Sequence, residues 1–150
     1  IGASGTGKST YRNSLEDFEI YSWDDLRLEF YSQDYDEAFK LSTQDKNFGK
    51  KVNARFMELV KSGKNIYVDN VNVSKKRRAF FIREAKRKGY FTRAVVFPIE
   101  LDVLIARQET RSDKTVPGGV VAGQYRAIQT PQFGEFDDID VKASNLPNIA

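Results

Sequence analysis

The first ten residues, Ile1-Gly2-Ala3-Ser4-Gly5-Thr6-Gly7-Lys8-Ser9-Thr10, decide how the rest of the chain is read. Gly2, four residues, then Gly7-Lys8-Ser9 is the pattern G-x-x-x-x-G-K-S/T of a phosphate-binding loop. Nucleotide phosphates are anions that need several donors from one side. Backbone N–H groups of a tight loop and of the helix that follows supply them. Gly2, Gly5 and Gly7 permit close approach of the backbone. Lys8 reaches the β- and γ-phosphate oxygens in such a loop, and Ser9 offers its hydroxyl to Mg²⁺. From average composition the four fixed positions arise by chance in about one chain in a few hundred of this length. The competing reading, a plain Gly-rich turn, is therefore the weaker one. Gly2, Ala3, Ser4, Gly5, Thr6, Gly7, Lys8, Ser9 and Thr10 are candidate nucleotide-binding residues.

Such a loop normally follows a buried strand, yet here only Ile1 precedes it and there is no initiating Met. The expectation is that a first strand of about five residues is missing and that these residues belong to a longer chain. The 150 residues suffice for one domain with a proper core. Hydrophobic content of 40% and charged content of 30% are globular values. No apolar run has the length of a membrane span. The absence of Cys excludes disulfides, thiolate catalysis and Cys-ligated zinc. The absence of His removes the usual general base, so acid–base work falls to carboxylates, Lys or Tyr. Oxygen-bound Mg²⁺ is the metal this inventory suits best.

The net charge of +3 is unevenly placed. Residues 74–89 hold eight Lys/Arg against the single Glu84; taking these from 24 basic and 21 acidic residues leaves 16 and 20, a net of −4. The chain has one basic element and is not basic throughout.

Read in order, Lys8 to about Ser14 is the helix opening on the loop, and Phe18–Trp23 a short strand. Asp24–Phe30 begins a helix that Asp24 can cap. Residues 32–46 read as polar loop with a helical turn. Phe48, Val52, Phe56, Leu59 and Val60 recur at helical spacing up to a C-capping Gly63. Asn65–Asp69 is a buried-strand pattern ending in an acid. Ser74 can cap a helix to Lys88 with an inward stripe of Ala79, Ile82 and Ala85, joined by Phe80 or Phe81. Strand Phe91–Phe97, helix Glu100–Arg111, loop Ser112–Gly119 and helix Val120–Gln129 follow. Residues 132–150 form a polar tail with one short strand near Ile139–Lys142. Strands alternating with helices predict an α/β fold: one P-loop domain over 1–150, its parallel sheet covered by helices on both faces. Ligands should lie along the carboxyl ends of the strands.

Three groups stand at those ends. Asp24-Asp25-Leu26-Arg27 follows the second strand. A carboxylate there can position an attacking hydroxyl and take its proton; equally, Asp24 is a helix cap and Arg27 a surface residue. Asp69 sits where P-loop proteins place the Mg²⁺-side carboxylate, or is a turn residue beside Asn70 and Asn72. Arg107 and Arg111 are like charges at i,i+4 with no acid three or four residues from either. They either complement a helix C-terminus or converge on phosphate oxygens, with Ser112–Gly119 as a lid. The basic helix is read mainly as a solvated face that can attract a polyanion.

Taken together and in this order, these landmarks resemble the bacteriophage-type polynucleotide 5′-hydroxyl kinases. The similarity is carried by Gly2–Thr10, by Trp23-Asp24-Asp25-Leu26-Arg27, by Val68-Asp69-Asn70-Val71-Asn72 leading to Arg77-Arg78, and by Arg107 through Arg111 to Lys114-Thr115-Val116-Pro117. The resemblance implies a cytoplasmic nucleic-acid repair kinase, in the host cytoplasm if phage-encoded. It implies transfer of the ATP γ-phosphate, with Mg²⁺, to a single-stranded or frayed 5′ end of DNA or RNA. It implies Asp24 as general base, Arg27 as a substrate-positioning cation, Arg111 on the transferred phosphate with Arg107 beside it, and Asp69 as an active-site acid and possible Mg²⁺ ligand. It also implies a homotetramer. No membrane partner is expected. Asp138-Ile139-Asp140-Val141 lacks the Thr of the phage D-x-D-x-T motif, so no 3′-phosphatase is inferred. Trp23, Tyr21 or Tyr31 is a candidate platform for a terminal base. The alternatives are a kinase of the same fold acting on a small-molecule alcohol and a nucleotide-driven motor or switch. The latter lacks an N-K-x-D motif and a catalytic Gln or Glu placed to orient water.

Overall fold

The computed structural model describes residues 1–110 and 116–142. Two compact units are distinguished, Arg12–Asn70 and the combination of Ile1–Tyr11 with Val71–Ala150.

In the unit Arg12–Asn70, strands β1 (Phe18–Tyr21) and β2 (Asn65–Val68) pair in parallel, Phe18 opposite Asn65 through Tyr21 opposite Val68. Between them run helices α2 (Trp23–Phe30), α3 (Tyr35–Gln44) and α4 (Phe48–Ser62). Helix α4 follows its apolar spacing: Val52, Phe56 and Val60 are buried, and Gly63 ends it at φ 72°. Tyr21 and Phe56 meet edge to face at 5.4 Å between centroids. The Tyr21 hydroxyl donates to the Val52 carbonyl at 2.7 Å, so its one polar atom is satisfied inside the core. Tyr21 is thus a core residue and not a platform for a base.

Helix α3 corrects the loop expected over 32–46. Asp34 caps it, its carboxylate accepting from the Glu37 N–H at 2.8 Å, and Ala38 and Ser42 face inward. Its polar sequence hides a narrow buried stripe of small residues, while Asp34-x-x-Glu37 has the spacing of a capping box.

In the other unit, helix α1 (Lys8–Asn13), which begins here, follows the loop, and α5 (Lys75–Arg87), β3 (Arg93–Val96), α6 (Leu101–Glu109), α7 (Gly118–Ala127) and β4 (Asp138–Val141) complete the elements. Strands β3 and β4 are parallel, Arg93 opposite Asp138 through Val96 opposite Val141. Ala3, Ile99, Leu104 and Val121 form a buried cluster packed by Leu101, Val103, Val116, Tyr125 and Ile128. Strand pairing is parallel as expected, but among the described residues it takes the form of two pairs rather than one continuous sheet. Each strand is four residues long, and on the other side of β3 it is Ile1 that makes ladder bonds. The Ile1 nitrogen donates to Val95 O at 2.6 Å and its carbonyl accepts from Phe97 N at 3.0 Å. No described helix is long and apolar enough to cross a membrane.

Ser74 caps α5 as its sequence suggests, accepting from Arg77 N. The stripe of α5 is corrected at one member: Phe80, Phe81, Ile82 and Ala85 are half-buried, but Ala79 is exposed and Arg78 is buried, 2% exposed. Arg78 donates to both Glu135 oxygens, at 2.6 and 3.1 Å, and to the carbonyls of Asn72 and Gln129 at 2.9 Å. A buried guanidinium is tolerable when its donors are met in this way. Burial raises the Glu135 carboxyl, but the bonds and charge of Arg78 outweigh it and hold the pKa below the usual carboxylate range. Residues 132–142 are correspondingly tied in, through Glu135 and β4.

Candidate active site

The phosphate-loop residues fall in the unit Ile1–Tyr11 with Val71–Ala150. Gly2 N donates to Val71 O at 3.2 Å. Ala3 is fully buried, and its carbonyl accepts from the Thr6 hydroxyl at 3.0 Å. Gly5 and Gly7 adopt φ of 88° and 94°, the left-handed region that costs a side chain energy. At Gly5 a Cβ would also lie 2.8 Å from Gln108 Nε2. Lys8 begins α1 but turns its ammonium back over the loop, donating to the carbonyls of Gly2 and Ala3 at 2.7 Å each. Ser9 and Thr10 are exposed in the first turn of α1.

Two later helices grip the same loop. From α6, Arg107 donates to Gly5 O at 2.8 Å. From α7, the Gln124 side chain accepts from Ser4 N at 3.0 Å. Gln108 is buried and accepts from Val116 N at 3.2 Å. Arg107 therefore joins the loop through a backbone carbonyl, where the expectation was contact with phosphate oxygens. Gln108 and Gln124 carry no signal in the sequence, because a neutral amide on a helix reads as surface. Arg111 and the Ser112–Thr115 part of the expected lid lie outside the described residues.

The donors of the loop suit phosphate. A lysine ammonium, an exposed hydroxyl and the opening N–H groups of α1, which have no intrahelical acceptor, are gathered within ten residues. Among the described residues no three His, Cys, Asp or Glu side chains cluster to hold a metal. The Ser9 hydroxyl is the group of this loop that suits Mg²⁺.

The carboxylates fall in the unit Arg12–Asn70. Ser22, not Asp24, caps α2, its hydroxyl accepting from Asp25 N at 3.3 Å. The helix starts one residue earlier than expected because Trp23 already belongs to it; its N–H is taken by the Asn70 side chain at 3.0 Å. Released from capping, Asp24 accepts through Oδ1 from Arg27 at 2.8 Å and from the Tyr35 hydroxyl at 3.1 Å. Arg27 also donates through Nε to Ser42 Oγ at 3.0 Å. Its guanidinium lies 5.0 Å from the ring centroids of both Phe39 and Phe48, within cation–π range. Three helices thus fix one Asp–Arg pair. Burial first, and the Asp24 charge second, push the Tyr35 phenol up to about 12, so it remains a hydrogen-bond donor at neutral pH.

Asp69 closes β2 with a side chain 9% exposed, and accepts from Arg12 at 2.9 Å. The second arm of Arg12 donates to Asp25 at 3.0 Å. Burial works against the charge of Arg12, but Asp69 and Asp25 outweigh it and raise its pKa. Sequence reasoning missed Arg12, because a lone Arg at the end of a short helix carries no pattern.

The family described as "AAA domain" matches residues 1–131. The chain belongs to this AAA domain family. The match runs from the phosphate loop to Pro131, so both units of this AAA domain lie mostly within it. The chain is also similar to a protein of Autographa californica nuclear polyhedrosis virus named "Putative bifunctional polynucleotide kinase/RNA ligase". The two are 26% identical over 123 residues, which cover 76% of this chain and 18% of the viral protein.

Proposed function

We propose that the protein is an ATP-dependent kinase that phosphorylates the 5′-hydroxyl of a polynucleotide. The observation that carries this reading is the state of Asp24: a carboxylate relieved of capping and oriented by Arg27 and Tyr35, in a chain that opens with a phosphate loop. The named activity of the viral relative and the landmarks at Asp24, Arg27 and Arg107 support the choice of acceptor.

The loop from Gly2 to Thr10 binds the nucleotide phosphates, and Lys8 exchanges its contacts with Gly2 and Ala3 for phosphate oxygens. Asp24 accepts the proton of the acceptor hydroxyl as its oxygen bonds to the γ-phosphorus. The bond from that phosphorus to the β–γ bridging oxygen breaks, and ADP leaves. Ser9 would hold Mg²⁺ through its hydroxyl, and the ion would supply positive charge to the phosphates. Arg107 orders Gly5, and Arg111 is assigned to the transferred phosphate. Asp69 is assigned to holding Arg12, which already occupies its Oδ2, in preference to binding metal.

A second reading, a small-molecule alcohol as acceptor, is favoured by Arg27. Its Nε and one terminal nitrogen are engaged by Ser42 and Asp24, and its faces meet two rings. An arginine so committed is better suited to holding Asp24 than to gripping a phosphate of a nucleic acid. The two readings part on γ-labelled ATP with Mg²⁺, offered a 5′-hydroxyl oligonucleotide or its 5′-phosphorylated twin. Label on the first alone is the expected result. No label on either, with nucleotide still bound, moves the acceptor to a small alcohol.

A further inference from the structure

We infer that Tyr35 is a positioning residue for Asp24, setting both the orientation of its carboxylate and the pH at which it takes up a proton. The inference rests on the reading of Asp24 as the base and goes beyond it, since Tyr35 lies on a helix where the sequence predicts polar loop with a helical turn.

Tyr35 opens α3, one residue after the capping Asp34, so its place is set by the helix start. Its hydroxyl reaches Asp24 Oδ1 at 3.1 Å, while Arg27 reaches the same oxygen at 2.8 Å. The two donors approach from different helices, which fixes the carboxylate plane more firmly than either alone. The same helix holds the other member of the pair: Ser42 accepts from Arg27, and Phe39 lies under its guanidinium. The rings of Tyr35 and Phe39 are 6.2 Å apart, so donor and ring are packed as one surface.

The contacts of Asp24 and its neighbours among the described residues include these groups. Arg27 faces it from α2, and Tyr35 from α3 with Asp36 acting on the phenol. The neighbouring Asp25 is paired with Arg12, which also holds Asp69. The ring of Phe48 on α4 covers Arg27. A hydrogen bond to a carboxylate favours its charged form, so Tyr35 lowers the pH at which Asp24 protonates. A base for a hydroxyl must be ionised to act, and Tyr35 thereby extends the active range toward acid.

The test is Tyr35→Phe in the full chain, which keeps the ring and removes the hydroxyl. Asp24 is followed by carboxylate ¹³C NMR, assigned with Asp24→Asn, and kcat/KM by its pH profile. The Asp24 titration and the acidic limb should both move up by about one pH unit, with the KM for ATP unchanged. Tyr31→Phe removes a comparable hydroxyl, one that donates to Asp45 at 2.7 Å, and should leave Asp24 unmoved. An unchanged Asp24 titration in Tyr35→Phe overturns the inference even when Asp24→Asn is inactive. Conversely, a shifted titration with full turnover in Asp24→Asn overturns the base reading and leaves the coupling of Tyr35 to Asp24 standing. Should Tyr35→Phe not fold, the reciprocal measurement decides. In Asp24→Asn the Tyr35 phenol, seen in ring-labelled protein, should titrate lower than in the unsubstituted chain, and no movement contradicts the coupling.

Discussion

The phosphate loop and the Asp24 cluster are built in opposite ways. The loop carries its conformation within ten consecutive residues, with two left-handed glycines and a lysine turned back onto carbonyls six and five positions earlier, and Arg107 and Gln124 brace it from later helices. The Asp24 cluster draws on α2, α3 and α4, and its decisive contacts join side chains eleven and fifteen residues apart. A site made of backbone conformation is written in its local sequence. A site made of side chains meeting across helices is written nowhere in particular, and a pattern can only mark its outer members.

The sharpest way to break this comparison is at the loop. Lys8→Ala removes the one lysine ammonium among the described contacts of Gly2 and Ala3. Transfer should fall by about 10³–10⁵-fold, measured as kcat/KM for ATP, with a thermal melt close to wild type. A fall of less than tenfold would mean that the loop is a turn and that its sequence was misread.

Arg78 tests the assembled kind of structure for stability rather than rate. Arg78→Ala leaves Glu135 and the carbonyls of Asn72 and Gln129 without their buried donor. It should cost about 3–5 kcal/mol by denaturant unfolding. The same pair gives a pH dependence. The folded pKa of Glu135 lies below its ordinary value, so the stabilisation is complete above the ordinary Glu range of about 4.3. It is lost as the pH falls through the depressed folded value. Glu135→Gln should flatten that acidic slope, and a slope unchanged in the variant would assign it to other carboxylates.

The smallest effect sharpens the account of α3. Asp34→Ala removes the cap that starts the helix one residue before Tyr35. A loss of about 1 kcal/mol is expected, with a modest drop in turnover and nucleotide affinity unchanged. A drop in affinity instead would tie α3 to the nucleotide.

These contrasts explain how far the sequence could be read. Helix α4, the Gly63 cap and the Ser74 cap follow local rules, and so appear in the structure where the pattern puts them. Asp24 misleads because both Ser22 and Asp24 are good caps, and the aromatic Trp23 between them reads as strand. Which residue wins depends on Asn70, 47 residues away, taking the Trp23 N–H. Arg78 misleads because a charged residue inside a basic run is counted as solvated, and only Glu135 and two segments of backbone make its burial tolerable. The strand pairs were legible as parallel from alternation with helices, but their four-residue extent depends on partners in space.

The central claim is a division of labour, with nucleotide held by the loop and the acceptor hydroxyl activated by Asp24. It is tested most directly by measuring ATP affinity by calorimetry and γ-phosphate transfer together in Asp24→Asn. The substitution keeps the size of the side chain and its acceptor oxygen while removing the base. The account predicts ATP affinity within about twofold of wild type and transfer reduced by at least ~10²-fold. Transfer close to wild type would contradict it, and Asp24 would then be a structural partner of Arg27 and Tyr35 and nothing more.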